Sequence, residues 1–66
     1  MKLTINGERV ELEREMSIAD FLKSRNVSET LVGVEHNLTW VRREDWTKII
    51  LQENDRLEII RIMAGG

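Results

Sequence analysis

Ala64, Gly65 and Gly66 close a 66-residue sequence with no side chain larger than a methyl group. Such an end carries its carboxylate on a thread almost without Cβ atoms, which fits a narrow cleft and takes backbone angles closed to other residues. From Met63 the thread would reach about 13 Å at ~3.3 Å per residue, enough to offer the Gly66 carboxylate to another enzyme's active site. Other routes to chemistry are sparse. There is no cysteine, so disulfides, thiolate metal sites and a cysteine nucleophile are excluded, and the absence reads as cytoplasmic. His36 has no second histidine to join it in a metal site and is expected as an ordinary strand residue. Glu44 and Asp45 are adjacent on a charged turn, where neighbouring side chains diverge, so they do not form an acid/base pair. Trp40 and Trp46 flank that turn and are expected to pack against the sheet rather than stack on a ligand.

Period-two alternation supplies the elements that must carry this end. Leu3 and Ile5 face one way and Lys2, Thr4 and Asn6 the other, and Val10 and Leu12 resume the pattern after Asn6-Gly7, a hairpin turn signal. Ser17 followed by Asp20 marks a helix start, with Met16 and Phe21 placed for a hydrophobic staple. Ile18, Phe21, Leu22 and Arg25 then fall on one helical stripe, and Asn26 is a left-handed stop. A third strand is predicted over Leu31–His36, a short extended piece at Trp40-Val41, and a charged helical turn at 42–45. Trp46 and Ile49-Ile50-Leu51 return to the core, and after Asn54-Asp55 a last strand alternates Leu57, Ile59, Arg61 and Met63 with Glu58, Ile60 and Ile62. The expected architecture is α+β, with a mixed sheet of four to five strands and one main helix across one face. Its core would hold Leu3, Ile5, Val10, Leu12, Ile18, Phe21, Leu22, Leu31, Leu57 and Ile59. Residues 1–63 form one domain in this reading and 64–66 a flexible tail.

Ten Lys/Arg against twelve Asp/Glu leave a net charge of −2, with the signs interspersed. No basic stripe supports nucleic-acid binding, and Arg42-Arg43 is answered at once by Glu44-Asp45. No stretch approaches the roughly 20 apolar residues of a membrane span, and no signal-peptide pattern follows Met1.

The sequence resembles the small ubiquitin-like sulfur carriers, most closely those of thiamine-thiazole biosynthesis. The resemblance runs over all 66 residues. It rests on the Leu3-Thr4-Ile5-Asn6-Gly7-Glu8 hairpin, the helix start Ser17-Ile18-Ala19-Asp20-Phe21-Leu22, the segment Val41-Arg42-Arg43-Glu44-Asp45-Trp46, and Asn54-Asp55-Arg56-Leu57-Glu58-Ile59-Ile60 running to Ala64-Gly65-Gly66. The order of these motifs and the terminal Gly-Gly are specific together, though none is specific alone. Where the family usually has an Asn-Gly turn, a Pro-Arg and a Gly-Asp, this sequence has Asn37-Leu38, Arg42-Arg43 and Asn54-Asp55. These departures sit in turns and bear on loop geometry and partner choice.

The resemblance implies a β-grasp fold and a protein co-substrate rather than an enzyme, with no bound cofactor. A ubiquitin-activating-like adenylyltransferase would use MgATP to adenylate the Gly66 carboxylate. Sulfur originating from a cysteine desulfurase would then displace AMP, leaving a thiocarboxylate that thiazole synthase consumes. Gly65 and Ala64 would form the narrow neck. Ile60 and Ile62 point away from Leu57 and Ile59, and with Met63 they are the expected partner-binding face unless the 38–51 segment covers them. A monomer is expected, since a carrier alternates between partners. The same residues also fit a carrier for molybdopterin, tRNA thiolation or another product, or a ubiquitin-like interaction module without tail chemistry.

Overall fold

The computed structural model describes residues 1–62. The tail positions Met63, Ala64, Gly65 and Gly66 lie outside the described residues.

Asn6 and Gly7 both take positive φ, 50° and 85°, the handedness that a two-residue loop needs to match the twist of its flanking strands. They join β1 (Lys2–Ile5) to β2 (Glu8–Glu11) as an antiparallel hairpin with Ile5 opposite Glu8. The single helix, α1 (Ile18–Ser24), starts where the sequence places it: Ser17 Oγ accepts from the Asp20 amide at 3.0 Å. It stops at Asn26, whose φ of 59° is left-handed. The Asn26 amide then donates to the Lys23 carbonyl and the Val27 amide to the Leu22 carbonyl, both at 3.0 Å, which satisfies two carbonyls the helix leaves open.

A second two-residue turn, Asn37-Leu38, joins β3 (Val32–His36) to β4 (Thr39–Val41). After a 3-10 turn at Arg43–Asp45 the chain returns through Trp46 and Leu51 to β5 (Arg56–Arg61). The sheet order is β2-β1-β5-β3-β4, with β5 parallel to β1 and antiparallel to β3. Ile18, Ala19, Phe21 and Leu22 of the helix share one core with Leu3, Ile5, Val34, Val41 and Leu57 of the sheet and with Leu12, Trp46 and Leu51. The helix therefore covers one face of the sheet, and the alternate residues of each strand form an open face.

The expected packing needs correction at Leu31, Ile50, Trp40, Val10 and Ile59. Leu31 is exposed rather than buried, because it precedes β3 at the sheet's end, where its carbonyl accepts from the Ile62 amide. Ile50 is exposed too: it pairs with Ser17 in an isolated bridge, and the extended backbone there turns Ile49 and Leu51 inward and Ile50 out. Trp40 packs on the sheet, but on its open face, and keeps 54% of its surface exposed. Val10 and Ile59 are half-buried against the core rather than within it.

His36 is more than an ordinary strand residue. Its Nε2 lies 2.7 Å from Asp55 Oδ2, and because a carboxylate only accepts, that nitrogen carries the proton. The Gln52 amide donates to the same oxygen at 2.8 Å and Asn37 Nδ2 to Oδ1 at 3.2 Å. This knot ties the β3–β4 turn to the entry of β5. Burial pushes the Asp55 carboxyl up, but the bonds from His36, Gln52 and Asn37 and the His36 charge outweigh it and hold the group below the usual aspartate range. A depressed folded pKa gives stability that is present above the unfolded value and lost as pH falls through the folded one. Thermal melts across pH should therefore show Asp55→Asn about 2 kcal/mol less stable at neutral pH, with a shallower loss below about pH 4. Parallel pH profiles for the two proteins would contradict this role.

Leu38 sits at φ 72° and is 73% exposed, so it bears the cost of left-handed backbone without burying its side chain. Glycine relieves that strain at some expense in unfolded-chain entropy. Leu38→Gly should raise stability by about 0.5–1 kcal/mol, read as a higher urea midpoint at unchanged slope.

Candidate functional site

The last strand is the centre of the sheet. β5 is bonded to β1 on one side and β3 on the other, so the end of the chain leaves a fixed platform rather than a sheet edge. Asn6 adds to this by reaching from its hairpin: its Oδ1 accepts from the Ile59 amide at 2.7 Å. The ladder continues past β5 through the Ile62 amide, which donates to the Leu31 carbonyl at 2.8 Å.

On β5, Leu57 faces the helix and is fully buried, while Ile60 and, just past the strand, Ile62 fall on the open face and remain 40% and 45% exposed. The 38–51 segment packs Val41, Trp46 and Leu51 into the helix-side core and does not cover them. Met63, Ala64, Gly65 and Gly66 follow directly in sequence but lie outside the described residues.

Two neighbours extend the apolar surface beyond what alternation along one strand could reveal. Gly33 is the direct cross-strand partner of Ile60. A Cβ built on Gly33 would collide with the Trp40 indole, so the absence of a side chain there makes the bed on which the benzo end of the ring rests. Trp40, Gly33 and Ile60 thus form a surface across β4, β3 and β5, continued just past β5 by Ile62. Its signal in the sequence was a glycine inside a strand, which marks a close approach. Trp46 is different: it is buried, and its Nε1 donates to the Val41 carbonyl at 3.2 Å.

The sequence pattern of the ThiS family matches residues 3–66, nearly the whole chain and the Gly-Gly end with it. The chain belongs to the ThiS family. This is the ubiquitin-like sulfur-carrier family that the sequence resembles, and the one-helix, five-stranded mixed sheet is its β-grasp fold. The crystal structure of the thiamine biosynthesis protein ThiS from Geobacter metallireducens superposes with a TM-score of 0.87, at 26% identity and with each chain fully covered. A thiazole synthase of Paramagnetospirillum magneticum is 33% identical over all 66 residues, and one of Magnetococcus marinus 30%. This chain spans about a fifth of the length of those synthases, 20% in each case. Among the described residues no helix is long and apolar enough to cross a membrane.

The bed at Gly33 can be tested directly. Gly33→Ala should displace the ring at a cost of about 1 kcal/mol, moving the indole N–H resonance of Trp40 while that of Trp46 stays in place. An unmoved Trp40 resonance would mean that the ring does not depend on this glycine.

Proposed function

We propose that this chain is a sulfur carrier protein of thiamine biosynthesis, acting as a co-substrate rather than an enzyme. The observation that carries the reading is the ThiS-family match through residue 66, which includes Gly65 and Gly66. The thiazole synthases that contain a region similar to this chain support thiazole synthase as the sulfur acceptor.

The chemistry follows from what a carboxylate lacks. Its oxygen is a poor leaving group, so a Gly66 oxygen attacks the α-phosphorus of MgATP on an activating adenylyltransferase, releasing pyrophosphate and forming an acyl adenylate. A cysteine desulfurase delivers sulfur as a persulfide; a thiol reductant, itself oxidised to a disulfide, releases it at the sulfide level, and the hydrosulfide then attacks the acyl carbon. AMP leaves with one former carboxylate oxygen, and the thiocarboxylate goes on to thiazole synthase. Gly65 and Ala64 are the neck that threads the enzyme's cleft, since neither presents a side chain beyond a methyl.

Ile60 and Ile62, with Met63, are the contact for the activating enzyme. Ile60 lies on β5 and Ile62 directly follows it, so docking there limits where the carboxylate can go. Pyrophosphate release by an activating enzyme of this class should require Gly66 and disappear on its deletion. Ile60→Glu, with a native-like melt, should lower kcat/KM for the carrier by roughly 30-fold, the effect of losing one anchoring aliphatic contact. Full activity in the Gly66 deletion would refute the carrier reading, whereas full activity in Ile60→Glu would refute only the docking face.

A further inference from the structure

The open face carries a pair of charges that the folded chain itself does not explain. Glu35 and Glu58 are direct cross-strand partners in the β3–β5 ladder, both half-buried, with Trp40 on the other flank of Glu35. Side chains in such register stand about 5 Å apart at Cβ, and like charges directly opposite destabilise a sheet. Among the described residues the ion pairs are His36–Asp55, Arg42–Glu44 and Lys48–Asp45, and none neutralises Glu35 or Glu58. The nearest row of the same face is apolar, Ile60 opposite Gly33, with the Trp40 ring lying over Gly33.

We infer that this row, Glu58, Glu35 and Trp40, is a receptor for a guanidinium side chain of the activating enzyme, seated beside the Ile60 contact; the inference rests on the docking reading given above. Charge complementarity selects the occupant. Two adjacent carboxylates that form no ion pair attract a cation, and a planar guanidinium has enough N–H donors to bond both at once while stacking on an indole. A lysine ammonium is a point charge that satisfies the pair less well. The repulsion that weakens the free chain becomes attraction in the complex, so the site favours a partner with an arginine over a merely apolar one.

The test compares the full chain with Glu35→Gln/Glu58→Gln and with Glu11→Gln, an open-face carboxylate on the edge strand β2, in the pyrophosphate-release assay. The double variant should melt about 1–4 °C higher than the parent, since the repulsion is gone. Its KM should rise about tenfold at unchanged kcat, with a weaker dependence on salt, while Glu11→Gln matches the parent. A KM within twofold of the parent overturns the inference, as does an equal rise in Glu11→Gln, which would reduce the effect to overall charge. A lower melting temperature overturns it as well, because the carboxylates would then stabilise the free chain. No pyrophosphate release from the parent would remove the carrier reading and this inference together, an outcome distinct from a parent that reacts and a double variant that reacts equally well.

Discussion

The parallel pairing of the first and last strands is the constraint on which the rest of the molecule depends. Only Thr4 with Arg56 and Ile5 with Leu57 are in register between β1 and β5. That short contact is reinforced by four further bonds: the Asn54 amide to the Lys2 carbonyl at 2.7 Å, the Thr4 amide to the Asp55 carbonyl and the Asn6 amide to the Leu57 carbonyl at 2.9 Å, and the Ile59 amide to Asn6 Oδ1 at 2.7 Å. Parallel neighbours cannot be joined by a tight turn, so everything between them must form a crossover. Here the crossover includes the helix that buries one face and the β3–β4 hairpin that flanks β5 on its far side. Placing β5 in the centre leaves its two backbone edges paired.

Local chemistry made the turns and caps legible. Asn6-Gly7, Ser17 with Asp20, and Asn26 each act over a few residues, and each occupies the conformation its type favours. Alternation placed β5 and separated Leu57 from Ile60 and Ile62. It could not say which face a neighbouring segment would cover, and that is why Leu31 and Ile50 were expected inside and lie outside. Long-range pairings were invisible for the same reason. The knot of His36, Asn37 and Asp55 joins residues up to 19 positions apart, and the rest of Trp40 on Gly33 depends on two strands meeting in one register. Of the proposed site, Gly65, Gly66, Ile60 and Ile62 could be picked from the sequence, whereas Gly33, Glu35, Glu58 and Trp40 acquire meaning only side by side on a sheet.

A carrier must be bound and released by successive partners, and its surface should reflect that. The open face joins a small apolar surface to carboxylates that form no ion pair among the described residues, which on the proposed reading suits a partner of opposite charge. The Asp55 knot stands at the opposite end of β5 from the tail. It can hold the entry to the strand while the other end is handled by an enzyme. Leu38, strained and exposed at the tip of the second hairpin, works against stability with no packing gain in return.

The central claim is that Gly66 carries sulfur. Its most direct test is the intact mass of this chain after incubation with a ubiquitin-activating-like enzyme, MgATP and a sulfur source. The account predicts a shift equal to replacement of one oxygen by sulfur, confined by fragmentation to Gly66. An unchanged mass in a folded chain that binds the enzyme would contradict it and leave a docking module in its place.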